Sequence, residues 1–399
     1  MIIFFGGNRD ILSFYIKSKR KIIWFLHNNW DRKDDVLIYN CDKYLLDDLD
    51  VDRCIPIIEK YNIKGAKCVS YHDNYHELSK SIANHFSIES NYNSNANMIS
   101  MNKELARNVS NKYFDLDVKY TLSNGLISKS KCCSLKEYNF PLIIKPRNGT
   151  ASKDVRIIYS YKELISNLPL NLNFLIEEYI PGKEFSVEVA SFNGKHKVLM
   201  ISEKTLFPDT FIAKTHTTGT ILCQKIWNRA ESIISKYLNE IGYSNGISHV
   251  EIKYNMGLIS FIECQHRMGG GFLTNAYNYL TGDSISEIAY NIDTDENFDF
   301  NKIKTTKDIN DVVYIEFFHL YIPGSEIVSL NEIKCLDKKY GILKIGYKEN
   351  DLFQHNLKDG FDRDIHIIIY VNTFEDIKNY REKAVRLIDP IVSIKISGE

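Results

Sequence analysis

Cysteine is scarce in this chain, with eight among 399 residues, and no two stand in a CxxC spacing. Cys132 and Cys133 are adjacent, which is not a zinc spacing. A disulfide framework is therefore not expected, and the pattern reads as the reduced thiols of a cytoplasmic protein. Long apolar runs are also missing. The opening MIIFFGGNRD holds only four apolar residues between Met1 and Gly6-Gly7. That is too short for the apolar region of a signal peptide and far too short to span a bilayer, so no membrane partner is expected. An excess of one charge is missing too: Lys+Arg number 50 and Asp+Glu 51, a formal net charge of −1. With no block of like charge, nucleic acid is not an expected partner. Internal repeats and low-complexity tracts are absent.

What remains is an ordinary globular composition, 44% hydrophobic and 25% charged. The length suggests two or three packed units with a core large enough to need no staple. Residues 1–100 alternate between candidate strands (IIFF, KIIWFLH, DVLIYN, AKCVSY) and helical patterns (DRCIPIIEKYN, HELSKSIANHF). Such alternation predicts a parallel α/β sheet. Gly6-Gly7 fits a tight strand-to-helix turn, with close approach of a ligand as the alternative. The polar, aperiodic stretch ESNYNSNANMISMN (89–102) marks the first boundary.

Beyond it the pattern predicts a helix in KELARNVSNKYF, then the strands FPLIIKP and VRIIYS around the polar loop RNGTASKD. FLIEEYIPGKEFSVEV reads as strand, Pro-Gly turn, strand, beside a hairpin. KVLMISEK is a further strand and KIWNRAESIISKYLNEIG an amphipathic helix. A hairpin, SHVEIKYNMGLISFIECQ, and a helix after the glycines follow. Strands VVYIEFFHLYI, GILKIGY and DIHIIIYV and a last helix, FEDIKNYREKAVRLI, complete the chain.

Three clusters carry chemistry. A hairpin turn centred on Met256 places Glu251 opposite Phe261 and His249 opposite Glu263. His249, Glu251, Glu263, Gln265 and Arg267 then share one face, with Glu251 and Glu263 diagonal neighbours roughly 7–8 Å apart. Two solvated carboxylates are one reading and a divalent cation between them the other. Gln265, Arg267 and Gly269-Gly270-Gly271 favour the cation, because an amide oxygen can ligate, a guanidinium can hold an anionic oxygen, and glycines expose N–H groups. In the second cluster, Lys145 ends an apolar strand and could sit against a phosphate, with Asn148 to Ser152 suited to covering phosphates; it is no Walker A loop, since GxxxxGK[ST] does not occur. In the third, the strand end Glu177, Glu178, Tyr179 and Ile180 offers backbone to an adenine edge, and Glu184 could accept from ribose hydroxyls; exposed carboxylates are the alternative.

In this order, PLIIKPRNGTASKDV, IEEYIPGKEFSVEV, ISHVEIKYN and IECQHRMGGG resemble the ATP-grasp superfamily, specifically its carboxylate–amine ligases, and within them the L-amino acid ligase (dipeptide synthetase) branch. The resemblance covers most of the chain. It implies a mixed α/β protein: an ATP-grasp fold holding the nucleotide between two subdomains, preceded by a Rossmann-like α/β domain. The divisions expected are 1–100 for that first domain, 101–187 for the small nucleotide-clamping subdomain, and 188–399 for the large subdomain with its C-terminal extension. The implied cofactors are ATP and Mg2+, with Mn2+ as a substitute. Lys103, Lys145 and Ser152 match phosphate-contacting positions, Glu177 to Ile180 the adenine segment, and Glu184 the ribose acid. Glu251 and Glu263 match the metal carboxylates, while Gln265 stands where asparagine is usual. Arg267 matches the arginine that steadies the acyl-phosphate, beside the substrate-binding Gly269 to Gly271. His216 sits where a histidine is often followed closely by proline, which is missing here; with LFPDTFIAKTHTTG it is expected in a lid. In SKDV the glycine that commonly precedes the valine is also missing. The implied partners are a small carboxylate, favoured as a neutral L-amino acid, and an amine, in a chain compatible with a homodimer. A thiol or hydroxyl nucleophile, or a non-catalytic ATP-binding module, are the alternatives.

Overall fold

The computed structural model describes residues 1–31, 41–124, 135, 137–149, 152–167, 173–295, 297–319, 325–327, 341–347, 365–388 and 394–396. The N-terminal strands β1 (Ile2–Phe5), β2 (Ile22–His27), β3 (Cys41–Leu46), β4 (Lys67–Ser70) and β5 (Glu89–Ser90) form one parallel sheet in the order β3-β2-β1-β4-β5. Its central strands are apolar throughout because both faces are covered. Ile2 and Phe4 join the cluster containing Ile288 and Leu273, while Ile3 and Phe5 join the one containing Cys54 and Ile82. The strand expected at DVLIYN (35–40) lies outside the described residues. The helix expected over 52–62 runs Val51–Ile58.

Two expectations for the next segments are corrected. The stretch 89–102 is not an aperiodic linker: it contains β5 and a helix, Ser94–Met101, that Asn93 caps by accepting from the Ala96 N–H. Polar composition concealed it, since Asn is as good at a helix N-terminus as in a turn. The helix predicted over 103–114 ends at Ser110. Strands β6 (Tyr120–Asn124), β7 (Leu142–Pro146), β8 (Arg156–Ile158) and β9 (Asn173–Glu178) then form a four-stranded antiparallel sheet in the order β6-β9-β7-β8.

The second correction concerns the Pro-Gly turn. β9 and β10 (Lys183–Phe192) do not pair with each other; β10 belongs to a different, eight-stranded sheet. Residues 179–182 therefore carry the chain from one sheet to the other. Gly182 makes that crossing possible, with φ +119° and a position at which a Cβ would stand 2.5 Å from the Tyr254 carbonyl oxygen.

The large sheet adds β11 (Lys195–Leu206), β12 (Ala213–Thr218), β13 (Gly246–Asn255), β14 (Leu258–Gln265), β15 (Val312–Phe318), β17 (Gly341–Tyr347) and β18 (Ile365–Val371), in the order β14-β13-β10-β11-β12-β15-β18-β17. β16 (Ser325–Ile327) and β19 (Ile394–Ile396) pair separately. Period-two alternation divides the middle of this sheet cleanly. Phe185, Val187, Val250, Ile252 and Ile201 pack under the helix Ile221–Glu240. The opposite face carries Glu184, Ser186, Lys204, Glu251 and Glu263, brought together by register. The stretch expected as a lid is corrected in part: His216 lies on β12, inside the sheet between β11 and β15, and is buried. Among the described residues, no helix is long and apolar enough to cross a membrane.

Candidate active site

The small sheet forms a roof and the polar face of the large sheet a floor. Between them lies a cleft lined by Lys103, Lys145, Ser152, Glu177, Tyr179, Ile180, Glu184, Lys204, Glu251 and Glu263 among others. Most of the residues singled out from the sequence as nucleotide or metal contacts thus meet in one place. Glu178 does not line it, because its carboxylate turns to the Asn139 backbone and side chain. Gln265, Arg267, His216 and Gly269 to Gly271 also lie off this cleft.

In the roof, Ile143 stands opposite Glu177 across β7 and β9, so Lys145 and Glu177 are diagonal neighbours on one face. Lys145 Nζ lies 2.5 Å from Glu177 Oε1, and Arg107 Nε donates to Oε2 at 2.9 Å. Arg107 is buried and anchored by a second bond to the Phe261 carbonyl. The Glu177 side chain therefore holds Lys145 in place. Burial acts to raise the pKa of Glu177, but the two cations outweigh it and hold the carboxyl at about 2. Burial lowers the pKa of Lys145, with Glu177 opposing. Lys103, the first residue of its helix, donates to the Gly149 carbonyl at 2.6 Å and lies 3.9 Å from Glu263.

Ser152, expected beside the phosphates, donates its Oγ to the Phe211 carbonyl at 2.8 Å. Asp154 takes φ +58°, the left-handed conformation that glycine would adopt at less cost. Behind the segment expected to meet adenine, Lys253 donates to the Ile180 carbonyl at 3.0 Å and sits 4.5 Å from the Tyr179 ring.

The floor reverses the stoichiometry. Lys204, directly opposite Glu184 on neighbouring strands, reaches Glu184 at 2.6 Å and Glu251 at 2.8 Å. Burial would lower the pKa of Lys204, but the two carboxylates raise it. Glu251 is held well below the usual carboxylate range: burial opposes this, and Lys204 and His249 outweigh it. His249 Nδ1 contacts Glu188 at 2.5 Å. Burial lowers the pKa of His249, and Glu188 more than compensates, raising it to about 9.

The hairpin register differs from expectation. The turn is the two-residue Met256-Gly257, both at positive φ, a geometry suited to a tight hairpin. It pairs Ile252 with Phe261, and the register then shifts so that Glu251 faces Glu263 and His249 faces Gln265. Without that shift Glu263 would point to the opposite face from Glu251, because one residue of slip reverses every side chain. The shared face is retained; the two carboxylates are directly opposite rather than diagonal. A divalent cation fits this donor set: Glu251 and Glu263 would hold it, with shell positions left for phosphate and water. Among the described residues no group of three His, Cys, Asp or Glu could hold a metal alone. Gln265 donates its Nε2 to Glu263 at 3.1 Å and so braces one carboxylate.

Arg267 Nε reaches back to the N-terminal part of the chain, donating to Asp73 at 2.7 Å, and its Nη1 donates to the carbonyl of the adjacent Met268. Gly271 is the point at which His216 meets the glycine turn: a Cβ there would lie 3.3 Å from His216 Nε2. His266 pairs with Asn97 and stacks on Tyr243. Arg107, Lys204 and Glu188 escape sequence reasoning. Arg107 left one trace, its i+4 spacing from Lys103 on a helix. Lys204 and Glu188 acquire partners only through strand register.

Comparison with known proteins bears on the fold and on one segment of the sequence. Residues 161–275 match the ATP-grasp domain family. The D-alanine–D-alanine ligase of Petrotoga mobilis is 36% identical over 129 residues, 31% of this chain and 40% of that protein. The chain thus spans about two fifths of that relative's length. In structure, L-amino acid ligase from Bacillus licheniformis superposes with TM-score 0.73 at 14% identity, covering 100% of this chain and 98% of that one. The biotin carboxylase domain of Hydrogenobacter thermophilus 2-oxoglutarate carboxylase, a dimer complexed with MgADP and bicarbonate, gives 0.72 at 14% identity over 99% and 90%. At such identity these likenesses speak for the fold. Residues 161–275 thus resemble the ATP-grasp domain family, and the arrangement of roof, floor and preceding parallel sheet is a fold shared with these solved structures.

Proposed function

We propose that the protein is an ADP-forming carboxylate–amine ligase that joins L-amino acids into a dipeptide or small amide. The observation that carries this reading is the opposed charge of the cleft walls: two cations around one acid in the roof, two acids around one cation in the floor. The roof suits a phosphate chain and the floor a divalent cation. Lys145 and Lys103 contact the phosphates, Ser152 closes the loop over them, and the backbone of 178–180 meets the adenine. Glu184 accepts from the ribose. Mg2+, or Mn2+ in its place, would be held by Glu251 and Glu263 and would neutralise phosphate charge.

The substrate carboxylate attacks the γ-phosphorus, and the bond to ADP breaks. The amine then attacks the acyl carbon and phosphate departs, while Arg267 and the N–H groups of Gly270 and Gly271 hold the developing oxyanion. His216 beside Gly271 borders the acyl site. A homodimer in a reducing, cytoplasmic compartment, with domains divided at about residues 100 and 187, belongs to the same reading. Incubation with ATP, Mg2+ and pooled L-amino acids should release ADP and phosphate in equal amounts, with condensation products visible by mass. Release of AMP and pyrophosphate would sink the acyl-phosphate route. ATP binding with no amino-acid-dependent ADP release would point to a thiol or hydroxyl nucleophile, or to a module without turnover.

A further inference from the structure

Glu188 has no part in the chemistry above, yet it is a carboxylate with no exposed surface at all. It stands on β10 opposite His249 on β13, where the β10–β11 register shifts between Glu188 and Val189. Its two oxygens serve two different structures. Oε1 meets His249 Nδ1 at 2.5 Å, and Nε2 of the same ring lies 3.5 Å from Glu251 Oε1. Oε2 accepts the Gly269 N–H at 2.9 Å. A Cβ at position 269 would fall 2.3 Å from Glu188 Oε1 and 2.6 Å from His249 Nδ1. The carboxylate and ring therefore occupy the space against which the glycine turn is seated.

Burying a carboxylate is costly unless its oxygens are bonded, so this arrangement persists only if both sides are held together. Glu188 does not line the nucleotide cleft. We infer that Glu188 is a positioning residue that fixes the Gly269–Gly271 turn against the Glu251 strand, so that the acyl site and the phosphate site keep one separation. The inference rests on the ligase reading for its effect on turnover, but not for the contact itself. Misplacing reacting groups by about 1 Å costs on the order of a hundredfold in rate.

The test uses the full chain carrying Glu188→Gln, which keeps the shape but cannot accept from both the Gly269 N–H and the His249 ring. ATP affinity, read by calorimetry, should stay within about twofold, while kcat falls by about tenfold or more with KM for ATP unchanged. Hydrogen exchange at the Gly269 amide should quicken by about tenfold or more. Wild-type exchange at Gly269 in this variant overturns the inference whatever turnover does, and so does a loss of ATP affinity as large as the loss of kcat. Should Glu188→Gln fail to fold, Gly269→Ala presses on the same contact from the other side, and wild-type kcat there overturns the inference. If the unaltered protein turns over no carboxylate, the ligase reading fails on that result alone, and the exchange measurement still decides the role of Glu188.

Discussion

The roof and floor of the cleft are built from the same residue types in inverse proportion. In the roof, Glu177 is shared by Arg107 and Lys145; in the floor, Lys204 is shared by Glu184 and Glu251. The shared group holds its neighbours at fixed positions, and the surplus sign decides what each wall attracts. Coulombic attraction across a partly desolvated cleft is several times stronger than in water, so the two surpluses set up fields of opposite sign on the two walls. The difference teaches that neither knot is chiefly a stabilising device, since a buried ion pair seldom repays its desolvation.

Breaking the floor should show the largest effect. Lys204→Met leaves Glu184 and Glu251 buried without their common cation, and should cost about 3–5 kcal/mol of stability by denaturant titration. Adding Glu184→Gln should return part of that loss; no recovery would mean that the three groups are not coupled.

The matching change in the roof is Glu177→Gln, with an expected cost of about 3 kcal/mol at neutral pH. The sign follows from a folded pKa of about 2 against an ordinary carboxyl. Its stability contribution is complete above the unfolded pKa of about 4.3 and disappears as pH falls through about 2. Unfolding free energy measured between those limits should slope less steeply in the variant; an unchanged slope would remove Glu177 as the titrating group.

Next in size is Glu263→Gln, which should fold normally and lose about a hundredfold in turnover. Near-normal turnover at limiting Mg2+ would refute its place as a metal carboxylate. The smallest effect should come from the crossing between the walls. Gly182→Ala forces a Cβ toward the Tyr254 carbonyl and should destabilise by about 1–3 kcal/mol. A melting temperature equal to that of the unaltered protein would show that the crossing yields rather than strains.

Composition and periodicity made the α/β alternation of the first hundred residues legible, because buried parallel strands read as continuous apolar runs such as IIFF and IIWFLH. The same local signals made Lys145, Glu251 and Glu263 conspicuous, since charge at the end or on one face of an apolar strand is a short-range pattern. Residue order along the chain was enough to separate the clusters that line the cleft. What the chain could not announce by itself was pairing. Whether Glu263 faces Glu251 depends on one extra residue in β14, whether β9 and β10 form a hairpin depends on Gly182, and the partners of Lys204, Arg107 and Glu188 lie 20 to 70 or more residues away. Register and long-range contacts are set by packing of whole sheets against each other, so only the tertiary structure decided them.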